Sequence, residues 1–286
     1  MKFGFAAMNT PGDIAPAVLG RALEDRGYES LWYGEHSHIP VSRLTPHPSG
    51  AELPEIYKWM MNPFLSLLAA ANATTELRIG TGVALPLEHD VLELAKTIAT
   101  LDILSDGRFS FGVGVGWNKE ELANHRPIPW AARYRALAEC IAALRALWTE
   151  HESEFHGEFY DFDPVWSLPK PVQKPHPPVW LGSVGKIGMA QAAAWADGWF
   201  PVDKAMRDIG VGISRWRDAV SAAGRDPDGL PVTMVTFGDP EFELLERMRD
   251  LGVERVVIGN DRANWDVPET TMPFVDRYAE MIPKLA

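Results

Sequence analysis

Short apolar runs rich in β-branched and aromatic residues alternate with longer amphipathic stretches along the whole chain, and this alternation limits the possible folds to a small set. In the amphipathic stretches the apolar residues recur at the spacing of one helix face, as Val91, Leu94, Ala95 and Ile98 do. Parallel strands need a crossover of about a dozen or more residues, so the alternation predicts a parallel α/β fold. The predicted strands are residues 2–6, 30–34, 77–81, 108–113, 179–181, 199–202, 232–237 and 255–258.

Eight strand and helix units in a chain of 286 residues favour a (β/α)8 TIM barrel. A doubly wound open sheet is the alternative. We find no linker or internal repeat, so residues 1–286 are predicted to form one domain. We also expect Asp13 to cap the first helix and Gly27 to end it.

Two insertions interrupt the regular pattern. Residues 37–61 follow the second strand, so in a barrel they lie at its carboxyl-terminal face, where they either shape a substrate pocket or pack against a partner subunit. Residues 149–178 precede the fifth strand and contain EFHGEFYDFD, which predicts a β-hairpin around Gly157.

The charge balance excludes some classes of partner. The 27 basic and 39 acidic residues give a net charge of −12, which disfavours nucleic acid and anionic membranes. No run reaches the length of a membrane span, and the apolar start of the chain breaks at Asn9, too early for a secretory signal. With the single cysteine, Cys140, these features predict a cytoplasmic protein that acts on a small molecule.

The segment FGVGVGW places Gly112, Gly114 and Gly116 at alternate positions after the fourth strand. Its G-x-G-x-G spacing and its place deep in the chain do not match the dinucleotide fingerprint. One interpretation is barrel packing against a bulky neighbour, such as one of the 11 tryptophans. The other is a flat ligand lying across the strand ends. Gly82, which follows the neighbouring third strand, favours the ligand.

Glu35, His36 and His38 follow the second strand. An H-x-H pair after a barrel strand is typical of metal hydrolases, but the later strands supply no histidine to complete such a site, and only Asp261 lies at a suitable strand end. We therefore predict no metal. A histidine that contacts substrate or cofactor is favoured over one that only packs at a strand end.

The fifth strand is followed by Gly182, Ser183, Gly185 and Lys186, at the start of a predicted helix. Backbone N–H groups at a helix N-terminus are suited to binding phosphate, and Lys186 adds a positive charge. The motif lacks the spacing of a Walker sequence.

Several stretches together resemble one known family, the bacterial luciferase-like flavin and deazaflavin oxidoreductases, and most of all its subgroup of probable F420-dependent enzymes. The resemblance extends from Met1 to about Val202. The stretches that carry it are SLWYGEHSHIP, LRIGTGVALPLEHDVLELAKTIATLDILSDGRFSFGVGVGWNKEEL, EFHGEFYDFDPVWSLPKPVQKPHPPVWLGS and AWADGWFP.

This resemblance implies a flavin-type cofactor at the carboxyl-terminal face of a barrel, with its ring against the third and fourth strands and a cis peptide bond at Gly82–Val83. It implies an acidic residue and a histidine near the ring, here Glu35 and His36, with His36 moving a proton during hydride transfer. The other positions that match the cofactor site are Gly82, Val83, Val115, Gly116, Trp117, Asn118, Gly182, Ser183 and Gly185, with Lys186 added as a phosphate contact.

The subgroup likeness favours coenzyme F420, which is limited to hydride chemistry with a small organic substrate. FMN is the alternative, in a luciferase-like monooxygenase supplied by a separate reductase, because the flavin nitrogen also permits oxygen activation. A metal hydrolase and a non-catalytic flavin-binding relative stay open. The family resemblance also implies a homodimer.

Overall fold

The barrel strands follow one another around an almost closed ring. A computed structural model describes residues 1–260 and 268–285. Its strands are β1 (Lys2–Ala7), β2 (Ser30–Tyr33), β3 (Arg78–Thr81), β4 (Phe109–Val113), β5 (Ser153–His156), β6 (Asp161–Val165), β7 (Val179–Leu181), β8 (Gly198–Trp199), β9 (Thr233–Phe237) and β10 (Arg255–Gly259).

In the described part of the chain, eight parallel strands are hydrogen-bonded in the order β8, β7, β4, β3, β2, β1, β10, β9. Isolated parallel bridges from Trp199 to Val232 and from Val202 to Val235 connect the two ends of this sheet. The predicted TIM barrel is therefore confirmed.

Helices surround the ring and bury one face each. They are α1 (Pro16–Glu24), α2 (Pro63–Asn72), α3 (Val91–Leu104), α4 (Lys119–His125), α5 (Arg133–Thr149), α6 (Lys186–Trp195), α7 (Ile209–Ala222), α8 (Phe242–Asp250), α9 (Thr271–Ala279) and α10 (Ile282–Leu285). The predicted apolar stripe of α3 is buried in the core, and each fully buried Leu or Ile contributes about 1.5–3 kcal/mol. None of the helices in residues 1–260 and 268–285 is both long and apolar enough to cross a bilayer.

A second apolar cluster fills the inside of the barrel. It consists of Trp32, Trp180, Phe200, Val235 and Val257. Side chains of this cluster therefore fill the middle of the ring, and a cavity opens toward the carboxyl ends of the strands.

Two strand glycines make room for this packing. A Cβ atom on Gly80 would lie 2.4 Å from a ring carbon of Trp32, and one on Gly112 would lie 2.0 Å from the backbone oxygen of Thr81. Packing against protein neighbours therefore explains why residue 112 in the FGVGVGW segment is glycine. This is the first of the two interpretations given above.

The predicted elements differ from the structure in details. Pro201 has no N–H to donate, so the strand predicted at 199–202 shortens to β8. Asp13 does not cap α1, whose N-cap is Ala15, because its carboxylate instead accepts the Thr10 N–H at 2.7 Å.

The predicted hairpin is confirmed. Strands β5 and β6 pair in antiparallel fashion outside the barrel, and Gly157 N–H donates to the Tyr160 carbonyl at 2.9 Å. Glu139 on α5 fixes the turn, since one of its oxygens accepts from Phe159 N at 2.6 Å and from Tyr160 N at 2.7 Å. The hairpin is therefore anchored to the barrel by one carboxylate.

Candidate active site

A cavity of about 400 Å³ opens at the carboxyl ends of the barrel strands. Its walls are largely apolar. The backbone that follows strands β2, β3, β4 and β7 lines it, together with the side chains of Met8, Tyr57, Met60, Val202 and Phe237. Since Tyr57 and Met60 belong to the insertion at 37–61, that insertion helps to shape the cavity.

The floor of the cavity is built around Val83. The Gly82–Val83 peptide bond is cis, as expected. A Cβ atom on Gly114 would lie 2.7 Å from one methyl carbon of Val83, and a Cβ atom on Gly182 would lie 2.8 Å from the other. The two glycines therefore let the valine lie between the ends of β4 and β7, where its side chain forms an apolar part of the cavity wall. Packing against Val83 therefore explains why residue 114 is glycine. The backbone of Gly114 also lines the cavity.

The loop after β4 turns back over the cavity at Gly116, which has a φ of 68°, in the left-handed region that glycine adopts without strain. Val115, Gly116 and Trp117 line the cavity as predicted. Asn118, the next residue, is buried, and neither its amide oxygen nor its amide nitrogen has a hydrogen-bond partner among the described residues. An unpaired buried amide costs about 1–3 kcal/mol, but Asn118 is not among the residues that line the cavity.

His36 lines the cavity and is held by a buried carboxylate. Its Nδ1 lies 2.8 Å and 3.0 Å from the two carboxylate oxygens of Glu121, and the exposed fractions of the two side chains are 8% and 1%. The Trp117 indole N–H donates to His36 Nε2 at 3.3 Å. These partners assign the imidazole proton to Nδ1, and the Nε2 lone pair accepts the Trp117 N–H.

Glu35 also lines the cavity, next to His36. Its carboxylate accepts the Leu85 N–H at 2.7 Å and a hydrogen bond from His89 Nε2 at 2.8 Å. Its backbone N–H also donates to the Val83 carbonyl at 3.1 Å. Glu35 thus ties the segment that carries Val83 to the end of β2.

The pKa of His89 reports this contact. Burial of the imidazole opposes its charged form, but the hydrogen bond and the charge of Glu35 outweigh burial, and together they raise the pKa of His89 above its ordinary value. His89 and Glu35 therefore form a charge-assisted pair beside the cavity.

Polar groups gather at the other end of the cavity. The Ser183 hydroxyl lies 3.1 Å from the Tyr134 hydroxyl, and both residues line the cavity. Gly188 in the first turn of α6 permits this approach, because a Cβ atom there would lie 1.9 Å from Ser183 Oγ. The Trp199 indole N–H donates to the Ser183 carbonyl at 2.6 Å and fixes the loop.

The predicted phosphate residues divide into two groups. Gly182 and Ser183 line the cavity. Gly185 and Lys186 do not, and both are exposed at the start of α6. The first-turn N–H groups of that helix have no partner within the helix, and they lie close to the hydroxyl pair because Gly188 in the same turn packs against Ser183 Oγ.

The H-x-H pair does not converge. His36 is buried at the cavity, whereas His38 contacts the Ser37 hydroxyl and the Asn124 amide nearer the surface. Residues 1–260 and 268–285 contain no group of three or more His, Cys, Asp or Glu arranged to hold a metal ion. Asp261, the proposed completing ligand, lies outside the described residues.

Sequence reasoning missed Glu121, Tyr134 and Gly188. Glu121 lies 85 residues from His36, and the only available signal was its place three residues after Asn118 on the inner face of a short helix. Tyr134 opens α5, and no pattern in the sequence connects it to Ser183.

The sequence was compared with known proteins. The model of the luciferase-like monooxygenase family matches residues 1–263. An uncharacterized protein of Mycobacterium tuberculosis strain H37Rv is 42% identical over 263 residues, which is 91% of this chain and 92% of the relative. The oxygenase component of the flavin-dependent trigonelline monooxygenase of Acinetobacter baylyi is 35% identical over 167 residues, covering 56% of this chain and 41% of the relative.

A third relative, the F420-dependent hydroxymycolic acid dehydrogenase of Mycobacterium tuberculosis, is 27% identical over 212 residues, covering 73% of this chain and 54% of the relative. Among solved structures, the monooxygenase RslO1 from Streptomyces bottropensis superposes with a TM-score of 0.79 at 20% identity and full coverage of both chains. An F420-dependent secondary alcohol dehydrogenase in complex with an F420-acetone adduct gives a TM-score of 0.76 at 18% identity, covering 100% and 99% of the two chains. These structural matches establish a shared fold.

Proposed function

Because the chain belongs to the luciferase-like monooxygenase family, we propose that it is an oxidoreductase that binds coenzyme F420 in the cavity and transfers a hydride between it and a small organic substrate. The likeness to an F420-dependent dehydrogenase over 73% of this chain supports this choice of cofactor. The observation that carries the proposal is the buried pair of His36 and Glu121 at the edge of a flat, apolar cavity.

The cavity residues fit a flat heterocycle with a phosphorylated tail. Val83 supplies an apolar floor for the ring, and Val115, Gly116 and Trp117 also line the cavity. Ser183, Tyr134 and the first-turn N–H groups of α6 are available for the phosphate. When bound, the deazaflavin supplies a ring carbon that accepts or gives up a hydride.

His36 serves as the acid or base in this proposal. In the oxidation of an alcohol, the hydroxyl proton would pass to His36 Nε2, which requires the Trp117 N–H to leave that lone pair. Glu121 stabilises the resulting imidazolium through the hydrogen bond at Nδ1 and keeps the ring in one orientation. In the reverse direction His36 returns the proton. Glu35 holds the Val83 segment in place and takes no part in proton transfer.

The substrate side of the cavity favours a small apolar or planar molecule. Met8, Tyr57, Met60, Val202 and Phe237 face it, and among the described lining residues there is no Lys or Arg to bind an anion. An apolar wall with the His36 imidazole at its edge is suited to an alcohol or carbonyl compound that carries a hydrocarbon part.

FMN is the second candidate. The oxygenase component of a flavin-dependent monooxygenase is 35% identical to this chain over about half of its length. That identity is higher than the identity to the F420-dependent dehydrogenase. The ring floor and the phosphate end fit FMN equally well, because the two cofactors share ring shape and the start of the tail. In that case the protein takes reduced FMN from a separate reductase.

A comparison of His36→Ala with His38→Ala tests the role of His36. Both variants remove an imidazole from the same segment, but His38 lies away from the cavity. We expect His36→Ala to bind F420 and to lose about 10²–10⁴-fold in the rate of F420 reduction with a panel of short alcohols. His38→Ala should keep the wild-type rate. Equal rates in the two variants would remove His36 from the chemistry, and oxygen consumption with reduced FMN but no F420 turnover would select the monooxygenase.

A further inference from the structure

Two cations stack on one indole ring next to the end of the cavity that carries Tyr134. Arg133 Cζ lies 4.3 Å from the centroid of the Trp130 ring, and Lys119 Nζ lies 5.8 Å from it. Both distances are within the range of cation–π contacts. Arg133 immediately precedes Tyr134 in α5, and Lys119 begins α4 two residues after Trp117, so each cation is close in the chain to a residue that lines the cavity.

The guanidinium of Arg133 is held in a fixed position but has donors to spare. Its Nη1 donates to the Trp130 carbonyl at 2.8 Å, and its Cζ lies 5.0 Å from the centroid of the Tyr134 ring. Within residues 1–260 and 268–285 the guanidinium makes no other hydrogen bond, and its Nε is buried without a partner. Because a guanidinium has five N–H donors, this half-buried side chain is ready to bind an anion.

Arg133 also lacks a carboxylate to balance its charge. Two residues later in the same helix, Arg135 pairs with Glu158, with 2.5 Å between Nη1 and Oε2. Arg133 and Lys119 have no such ion pair in the described part of the chain. In a protein with a net charge of −12, two adjacent cations without a carboxylate form a local positive site.

The two carboxylates that follow Lys119 in the sequence are directed elsewhere. Glu120 accepts the Thr45 N–H at 2.9 Å, and Glu121 lies beside His36. The Lys119 ammonium therefore has only the indole ring as a described neighbour of opposite polarity.

A third cation reaches the same end of the cavity from a different helix. Lys186 begins α6 and is exposed, and it forms no ion pair with any described residue. Gly188, in the same helical turn, packs against the Tyr134 hydroxyl, since a Cβ atom at 188 would lie 2.9 Å from Tyr134 Oη. Arg133 and Lys186 thus approach Tyr134 from two helices.

We propose that Arg133, Lys119 and Lys186 bind the carboxylates of an anionic cofactor tail where it leaves the cavity. This inference rests on the proposed function, because coenzyme F420 carries glutamyl carboxylates beyond its phosphate and FMN carries none. None of the three cations lines the cavity, whereas the Ser183 and Tyr134 hydroxyls do, so the hydroxyls are placed for the phosphate and the cations for groups beyond it. The site therefore selects F420 over FMN.

The test compares two double variants that each remove two positive charges. Arg133→Gln/Lys119→Gln removes the stacked pair, and Arg21→Gln/Arg215→Gln removes two exposed charges from α1 and α7. Isothermal titration calorimetry measures the Kd of F420, of FMN and of the F420 deazaflavin without phosphate and tail. We expect the first variant to bind F420 about five- to twentyfold more weakly, because one exposed ion pair contributes up to about fivefold. Its affinity for the other two ligands, and the affinity of the second variant for all three, should stay at the wild-type level.

Salt dependence in the wild-type protein gives a second measurement that does not depend on the folding of a variant. Raising the ionic strength from about 0.1 M to about 1 M shortens the Debye length from about 10 Å to about 3 Å. F420 should then bind several-fold more weakly, while the tail-free deazaflavin should bind as before.

Equal affinity for F420 in the two double variants would overturn the tail site. Equal losses for F420 and FMN in Arg133→Gln/Lys119→Gln would also overturn it, because they would place the cations on the phosphate. In either case, binding of the tail-free deazaflavin leaves the cofactor assignment standing. If neither deazaflavin binds to the wild-type protein, the proposed function and the tail site both fail.

Discussion

Val83 and Gly114 should be energetically coupled, because a side chain at 114 would occupy the space of the valine. An alanine Cβ at 114 would lie 2.7 Å from a Val83 methyl carbon, closer than ordinary contacts allow. Val83 is β-branched and has little rotamer freedom, so the backbone or the valine must shift. Overpacking of this kind destabilises a protein by about 1–3 kcal/mol. A Gly→Ala change also lowers the entropy of the unfolded chain, which stabilises the folded state by about 0.4–1 kcal/mol and offsets part of that loss. We expect Gly114→Ala to lower the free energy of unfolding by about 1–2 kcal/mol.

A double-mutant cycle isolates this contact. Val83→Ala removes both methyl groups, so in that background Gly114→Ala should cost nothing or even stabilise the protein. The expected coupling is about 1–2 kcal/mol, within the range found for residues in contact. Urea denaturation followed by tryptophan fluorescence measures all four proteins. Gly12→Ala is the control, because the nearest atom to a Cβ at that position is Thr10 Oγ1 at 3.9 Å. Strictly additive losses in the cycle would refute the view that Val83 explains the glycine.

Other predictions concern the carboxylates and the phosphate end. Burial, followed by the charges of Glu121 and Glu35, raises the pKa of Glu88 to about 9. The folded protein therefore binds more protons than the unfolded chain between about pH 4.5 and about pH 9, so stability falls as pH rises through this window. As the pH rises from 6 to 8, the free energy of unfolding of Glu88→Gln should therefore rise by about 2–3 kcal/mol relative to that of the wild type, as measured by urea denaturation. A difference between the two proteins that does not change with pH would contradict the raised pKa of Glu88. Tyr134→Phe should weaken FMN binding by about 0.5–1.5 kcal/mol and leave riboflavin, which has no phosphate, unaffected; equal losses for the two compounds in fluorescence titrations would argue against a phosphate contact. Glu139→Ala should raise amide hydrogen exchange at Phe159 and Tyr160 while β4 stays protected, since it removes the acceptor of both N–H groups.

The fold was accessible from the sequence because its signals are local. The period of α3 and the short β-rich runs each depend on neighbouring residues, and a hairpin such as the one around Gly157 depends on ten residues. The strand ends then indicated which face of the barrel carries the cavity. Only Pro201, which shortens β8, changed a strand appreciably.

The site was less accessible because its contacts join distant parts of the chain. The contact between the His36 imidazole and the Glu121 carboxylate depends on where α4 lies relative to the barrel after β4. The periodicity of the sequence does not predict that position. The sequence favoured a bound ligand as the reason for the glycines of FGVGVGW. The structure shows instead that Cβ atoms at positions 112 and 114 would lie too close to Thr81 and Val83. A missing side chain in a sequence does not reveal whether protein or ligand occupies the space.

Isothermal titration calorimetry of the protein with F420 and with FMN, side by side, tests the central claim most directly. If the cavity above Val83 holds a flat tricyclic ring, one equivalent of cofactor should bind, with F420 binding more tightly than FMN. The absence of measurable binding for both compounds, in protein whose fold is verified, would contradict the account.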